Sequence, residues 1–396
     1  MNHSISPVNQ LKAIIFAGYL SLGWSWPLSV HSGIPFIAIF GGLVSFAFVI
    51  ALLENYRTDI KLIGVVSIIL GVIAIMSVLT QGSLLFNRTS ILPLSLLAFV
   101  FLVNKRNIHY ICSALTIFTV VALVCSWISF FYTLLGGEHF GVIKNPDGRG
   151  NALYLLSYSN SVFGKIIRPS FVYDEPGAFS FFICFVVILR ELLSRDNKTS
   201  LVIMFFGVIT FSLTHVLLFF LYSFYLNRTY SLLMLCLVLV LISLFVQYLG
   251  LFDFFLERFV VEDGKLSGDN RSREIDYYLN SITPRIFIFG NVECYKGGVD
   301  LCADGPITAT PLAPNYRQGL IGVFYQTIIL VLPFFSVLLK KRFHLIWLMF
   351  FLLLIQRPYY SGFGYSLMVI TMVYCFLVTF KERDLVSFSD VKLRRF

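Results

Sequence analysis

The residues best suited to chemistry stand in the stretch Arg168-Pro-Ser-Phe-Val-Tyr-Asp174-Glu175-Pro176-Gly177-Ala-Phe, at the head of a long apolar run. Asp174 or Glu175 can cap the helix that begins here. Pro176 suits a first-turn position, where its missing N–H would have had no intrahelical partner. Capping accounts for one acid and leaves a second acid and an upstream arginine unexplained. A carboxylate held at a membrane boundary beside a cavity can act as a general base or orient a hydroxyl. Glu175 is the first candidate for that role, with Asp174 and His215 behind it. His215 falls at an expected turn, Ser212–His215, within an apolar segment. There it is either a structural histidine with its hydrogen bonds satisfied or a group facing a cavity.

The second chemical signal is arginine. Arg168, Arg273 and Arg317, followed by Arg285 and Arg357, are candidates for holding phosphate or pyrophosphate, because the guanidinium fork pairs bidentately with phosphate oxygens. Arg258, Lys265 and Lys296 read instead as ordinary charges of a folded loop that also carries many acids. No His/Cys/Asp/Glu set shows metal-ligand spacing, and no Gly-rich phosphate loop or dinucleotide fingerprint is present, so no metal and no cofactor are expected. Five of the seven cysteines lie in apolar runs. Cys294 and Cys302 share one polar loop, where a disulfide is expected and a zinc pair is the alternative.

The elements that must position these groups are apolar. Of 396 residues, 58% are hydrophobic and 13% charged, with mean hydropathy +0.83. Globular domains carry about twice that share of charge. The net charge of +9 is taken up largely by basic residues at the ends of apolar runs, so no nucleic-acid partner is inferred. A hydrocarbon core takes about 20 apolar residues to cross. Candidate spans are Leu11–Val30, Gly33–Leu53, Leu62–Thr80, Ser90–Val103, Ile108–Leu135, Tyr173–Leu189, Tyr230–Leu249, Gly319–Leu339, Phe343–Ile355 and Tyr365–Phe380. Ser200–Leu226 can cross once or twice. Two short helices meeting at Ser212–His215 keep Lys340-Lys341-Arg342 and the basic tail on the inner face with Arg190, Arg195 and Lys198.

The expected fold is therefore an all-α integral membrane protein with about 12 transmembrane helices. It forms a single polytopic domain, residues 1–396, with two long outer segments, 136–172 and 251–318, the second partly helical. The arginines gather on the outer face, where the distribution of positive charge would not otherwise place them.

With these residues in view, the chain resembles the bacterial Wzy-type O-antigen polymerases, in the superfamily that also holds the O-antigen ligases. Arg168…Glu175-Pro176-Gly177 resembles their Arg-x-x-Gly-x-Phe-x-Glu-Pro signature, with Phe171 where glycine is usual and Tyr173 where phenylalanine is usual. Arg273 through Pro284 to Phe289-Gly290 resembles the outer-loop arginine and amphipathic helix, with Val292 where a second glycine is frequent. Asn315-Tyr-Arg317-Gln-Gly319-Leu-Ile-Gly322 resembles the end of the large loop. The ligases usually have a His-Asn pair there, and this chain has Pro314-Asn315.

The resemblance implies a GT-C-like membrane glycosyltransferase of the bacterial inner membrane, multi-pass, with its active site facing the periplasm. Such an enzyme polymerises undecaprenyl-pyrophosphate-linked polysaccharide repeat units in lipopolysaccharide biosynthesis. The growing glycan leaves its lipid pyrophosphate for a hydroxyl of a new unit. The arginines would stabilise the leaving pyrophosphate, and Glu175 would serve as base. Implied partners are the lipid-linked oligosaccharide, membrane lipid, a chain-length regulator and a flippase. The alternatives are an O-antigen ligase, a lipid-linked oligosaccharide flippase or other transporter, and a non-enzymatic assembly factor.

Overall fold

A computed structural model describes residues 6–53, 90–144, 150–163, 166–226, 240, 261–262, 265–266, 270–291, 307, 310–338, 344–358, 362 and 364–378. The first two helices start where the sequence offers a capping side chain followed by proline. Ser6 accepts from the Asn9 N–H ahead of α1 (Pro7–Leu22), and Ser25 does so from Leu28 ahead of α2 (Trp26–Ser32). After α3 (Phe36–Leu53) and α4 (Ile91–Leu102), α5 runs over Ile108–Leu134.

Residues 136–172 then build short antiparallel strands: a sheet of β1 (Gly141–Lys144), β2 (Gly150–Tyr154) and β3 (Ser157–Ser159), and a hairpin of β4 (Val162–Phe163) and β5 (Ile166–Ile167). Leu153 pairs with Gly141 on one side and Tyr158 on the other, which fixes the register.

The centre of the molecule is α6 (Pro176–Leu192). Every residue but Gly177 is buried, as a helix apolar on all sides must be. Around it pack α5, α7 (Asn197–Gly207), α8 (Leu213–Leu226) and α12 (His344–Gln356). A 3₁₀ turn, Val208–Thr210, and Phe211 in the left-handed region at φ 47° separate α7 from α8, so the chain breaks just ahead of Ser212. A second, smaller core joins α9 (Asn270–Ser281) and α10 (Pro284–Phe289) to the start of α11 (Ala313–Leu338), around Tyr278, Ile307, Ala313 and Tyr316. A hairpin of β6 (Val261–Glu262) and β7 (Lys265–Leu266) precedes α9, and α13 (Gly364–Val378) closes the described chain.

The expected all-α fold of about twelve spans is not what these elements form. Among the described residues, two helices, Ile108–Leu134 and Ala313–Phe335, are long and apolar enough to cross a membrane. Other apolar helices, Ile91–Leu102 and Leu213–Leu226 among them, fall below the roughly 20 residues a crossing needs. Three small antiparallel sheets make the architecture mixed α/β. The multi-pass inner-membrane placement rested on the span count and is withdrawn with it. Leu62–Thr80, and Tyr230–Leu249 apart from Val240, lie outside the described residues, as do Cys294 and Cys302.

In sequence Arg190 reads as a basic flank of a span; in the structure it is buried and clasps three elements. Its Nε donates to Ser200 Oγ at 2.9 Å, Nη1 to Thr116 Oγ1 at 3.0 Å and Nη2 to the Asp196 carbonyl at 2.9 Å. Its neighbour Glu191 accepts from the Tyr222 hydroxyl at 2.5 Å. Charges this deep persist only with such partners.

Candidate functional site

The segment leading into α6 is held from three sides. Buried Asn151, on β2, donates its Nδ2 to the Asp174 carbonyl at 3.1 Å and more distantly to that of Tyr173. Ser170 Oγ bonds the carbonyls of Tyr158 and Tyr173, both at 2.8 Å, and Ser25 Oγ donates to the Val172 carbonyl. Tyr173 reaches back with its hydroxyl to the Ser21 carbonyl at 3.0 Å. Its ring and that of Tyr365 each stand 4.6 Å from Trp24. Phe171, at the position where the resembled motif has glycine, takes a left-handed φ of 52° and bridges to Tyr158. That conformation is uncommon for a bulky residue. It is supported by the Ser157 Oγ bond to the Phe171 N–H at 2.8 Å and by a ring contact with Phe118. Asn151→Ala should loosen this segment at a cost of about 1–2 kcal/mol, read as a lower unfolding midpoint in denaturant.

Glu175 occupies the N-cap position of α6, with Pro176 in the first turn, yet its carboxylate accepts no hydrogen bond from the helix N–H groups. It pairs instead with Arg357. Arg357 stands just past the end of α12: its N–H still bonds the Leu353 carbonyl, and Pro358 follows. Its guanidinium lies directly over Gly177, where an added Cβ would stand 2.5 Å from Nη2. A side chain at this position would push the guanidinium aside, so glycine leaves it room to lie there. The pair is mostly buried, with 11% exposure for the Arg357 side chain and 24% for Glu175.

The remaining expected site residues are dispersed. Arg168 donates its Nε to the Thr210 carbonyl at 3.1 Å and so pins the 3₁₀ turn. His215 is wholly buried. Its Nε2 faces the Met204 carbonyl at 2.8 Å, so that nitrogen carries the proton, and Nδ1 faces Ser180 Oγ at 3.3 Å. Burial pulls its pKa down to about 4. The imidazole is thus neutral and sealed within the α6–α7–α8 core.

Arg317 is buried in the second core, on the first turns of α11. There α10 and α11 cross at a pair of glycines. A Cβ on Gly290 would meet the Arg317 carbonyl at 2.6 Å, and one on Gly319 would meet Gly290 N at 2.6 Å. Asn315 clamps the crossing, accepting from the Tyr278 hydroxyl at 2.6 Å and donating to the Phe287 carbonyl at 3.1 Å. The structure thus brings the Arg273–Gly290 and Asn315–Gly322 stretches together. Arg285 is exposed on α10; Arg273 is on α9, with its side chain outside the described atoms.

No family model, no curated protein and no solved structure matches this chain.

The resemblance to the O-antigen polymerases is accordingly not upheld. Its motifs were individually loose, and the twelve-span order that gave them weight is absent among the described elements. The implied glycosyltransferase chemistry falls with it. Glu175, named as base, is tied to Arg357; His215, its reserve, is enclosed and bonded on both nitrogens. The arginines assigned to one pyrophosphate are spread over Thr210, Glu175 and the α10–α11 crossing. No group of three potential metal ligands gathers among the described residues. Sequence reading missed Asn151 and Ser170, the groups that set the position of Asp174 and Glu175. Ser170 stands inside the stretch from Arg168 to Gly177 as an uncharged residue between its arginine and its acids, and Asn151 reaches the segment only through the fold of the strands.

Proposed function

We propose that the protein is a lipid-contacting binding protein for an anionic, phosphate-bearing amphiphile, with the anion taken at the Glu175–Arg357 pair. The observation that carries this reading is the seat of Arg357. A guanidinium lies over the glycine in the first turn of a 17-residue helix, the end at which the helix dipole favours an anion. Glu175 is the anion that occupies it in the free protein, and a phosphate, with more acceptor oxygens and more charge, is the ligand that displaces it.

Membrane lipid as a partner is supported by the faces that α5 and α11 leave uncovered. Ile117, Val121, Val124, Ile128 and Phe131 form one stripe along α5, and Leu320, Phe324, Ile328 and Phe335 form another along α11, with Ile117 and Phe335 more than 60% exposed. Such contiguous apolar area calls for an apolar environment.

The test is calorimetric titration of the full-length chain in detergent with dioctanoyl phosphatidic acid, against dioctanoylglycerol as the phosphate-free control. Arg357→Ala should weaken phosphatidic acid about tenfold, the worth of a charge-assisted hydrogen bond. Glu175→Gln, which removes the competing carboxylate, should tighten it, and neither variant should change the control. Unaltered affinity in Arg357→Ala, or weaker binding in Glu175→Gln, would overturn the reading.

A further inference from the structure

The end of the molecule where α5 begins carries cations that the Glu175–Arg357 pair does not use. Lys105 and Arg106 stand exposed just ahead of α5, and Lys198 is exposed in the first turn of α7. Arg195, in the turn between α6 and α7, ties these segments together. Its Nη2 donates to the His109 carbonyl at 2.7 Å and to Ser113 Oγ at 3.2 Å, both in the opening turns of α5. Arg190 fastens the same elements from below, through Thr116 on α5 and Ser200 on α7. Lys105, Arg106 and Lys198 therefore share one end of the fold.

Two acids lie close by in sequence, and each is engaged within the fold. Asp196 caps α7, accepting from the Lys198 and Thr199 N–H groups at 3.3 and 2.9 Å and from the Thr199 hydroxyl at 2.7 Å. Glu191 is buried and accepts from the Tyr222 hydroxyl. The exposed cations outnumber the exposed carboxylate of Asp196, so the cluster is positive.

These charges adjoin the uncovered face of α5. Tyr110, Ile117, Val121, Val124, Ile128 and Phe131 are exposed and follow one another at steps of three, four or seven, which places them on one side of the helix. Along that side the order is basic, then aromatic, then aliphatic. A lipid surface presents the matching order from outside inward: phosphates, an interfacial layer where tyrosine is favoured, and acyl chains. A nucleic acid or an acidic protein would answer the cations and leave the aliphatic stripe against water.

We propose that this end of α5, with the first turn of α7, is a docking surface for an anionic lipid membrane. Lys105, Arg106 and Lys198 meet the lipid phosphates, and the α5 stripe meets the acyl chains. This docking presupposes lipid against α5 and is independent of any anion at Arg357.

The experiment is flotation of the full-length chain, diluted out of detergent, with vesicles of phosphatidylcholine alone or with phosphatidylglycerol as about a third of the lipid. Each is run at low and high salt, about 50 and about 300 mM NaCl. Phosphatidylglycerol should raise the apparent affinity at least tenfold at low salt, and high salt should remove most of that gain. The double variant Arg106→Gln, Lys198→Gln should cut the gain at least fivefold and leave affinity for phosphatidylcholine unchanged, which also shows that it folds. Lys144→Gln, in β1 past the far end of α5, should keep the gain, as should Arg357→Ala. Equal affinity for the two vesicles, binding to neither, or a gain that survives high salt or the double variant would overturn the proposal. So would loss of the gain in Arg357→Ala, which would assign the anionic lipid to that site, or displacement from the charged vesicles by polyuridylate at equal phosphate, which would mark a nucleic-acid surface. Calorimetry with phosphatidic acid reads the Arg357 site separately.

Discussion

Gly319→Ala should destabilise the protein by about 3 kcal/mol or more. Gly319 interrupts α11 with φ 63° and ψ −146°, a region that residues with a Cβ scarcely populate. Strain is only part of the effect. A methyl group there would be driven into the Ile288 carbonyl and to 2.6 Å from Gly290 N, both backbone atoms that no rotamer change can move. The helices would have to separate, and with them the bonds from Tyr278 to Asn315, from Asn315 to Phe287 and from the Asn291 N–H to the Tyr316 carbonyl at 2.7 Å. Gly41→Ala is the control. It lies inside α3 with open space around it, so alanine should be neutral or stabilising by up to about 1 kcal/mol. Denaturant unfolding of both variants checks the contrast, and equal effects would mean that the glycine crossing does not hold the second core.

Acid should destabilise the protein through His215. Its folded-state pKa lies near 4, below the ordinary 6.5, because burial disfavours the imidazolium, and the Met204 carbonyl offsets only part of that. Between those values the unfolded chain binds a proton that the folded chain refuses, so stability is complete above about pH 6.5 and falls as pH drops toward 4. The loss from this one group is about 2 kcal/mol by pH 5 and about 3 kcal/mol by pH 4. The groups facing the ring are Ser180 and Cys184, whose thiol burial pushes up, so neither supplies a compensating negative charge. His215→Gln keeps a donor for the Met204 carbonyl but has nothing to protonate. Its unfolding free energy should be lower than wild type at pH 7 yet decline less between pH 7 and pH 4. Parallel curves for the two proteins would assign the acid sensitivity elsewhere.

Local signals were legible in the sequence because local physics sets them. The stretch of apolar residues from Ile108 became α5 within a residue of its expected end, and Pro176 opens α6 as its fixed φ suggests. The polar residues at Ser212–His215 mark a candidate break in an apolar run, and the chain does break there, although the choice of two helices over one rests on a sidedness argument that the elements do not sustain.

What was not legible is what covers an apolar surface. Hydropathy cannot distinguish a helix wrapped by lipid from one wrapped by other helices. The run of α6 reads as a span and is enclosed on every side by protein. Arg190 likewise reads as an anchor at a span end and is a buried clasp. The strands of 136–172 escaped because they are short and because the β2–β3 turn uses Leu155 at φ 49°, where no glycine or asparagine marks it.

The pairing of Trp24 with Tyr365 and Tyr173 has a consequence in time. Trp24 is made about 340 residues before Tyr365, and at about 5–20 residues per second that separation amounts to roughly 17–70 seconds of translation. Throughout that interval the end of α1 carries a large aromatic surface whose far partner does not yet exist. Tyr173 arrives earlier and can shelter one face of the indole; the other stays uncovered until α13 emerges. Gly364, against which the same indole packs, arrives with Tyr365. The packing around Trp24 is therefore finished only once α13 has emerged, and truncation ahead of residue 364 would leave that indole exposed as well as α13 missing.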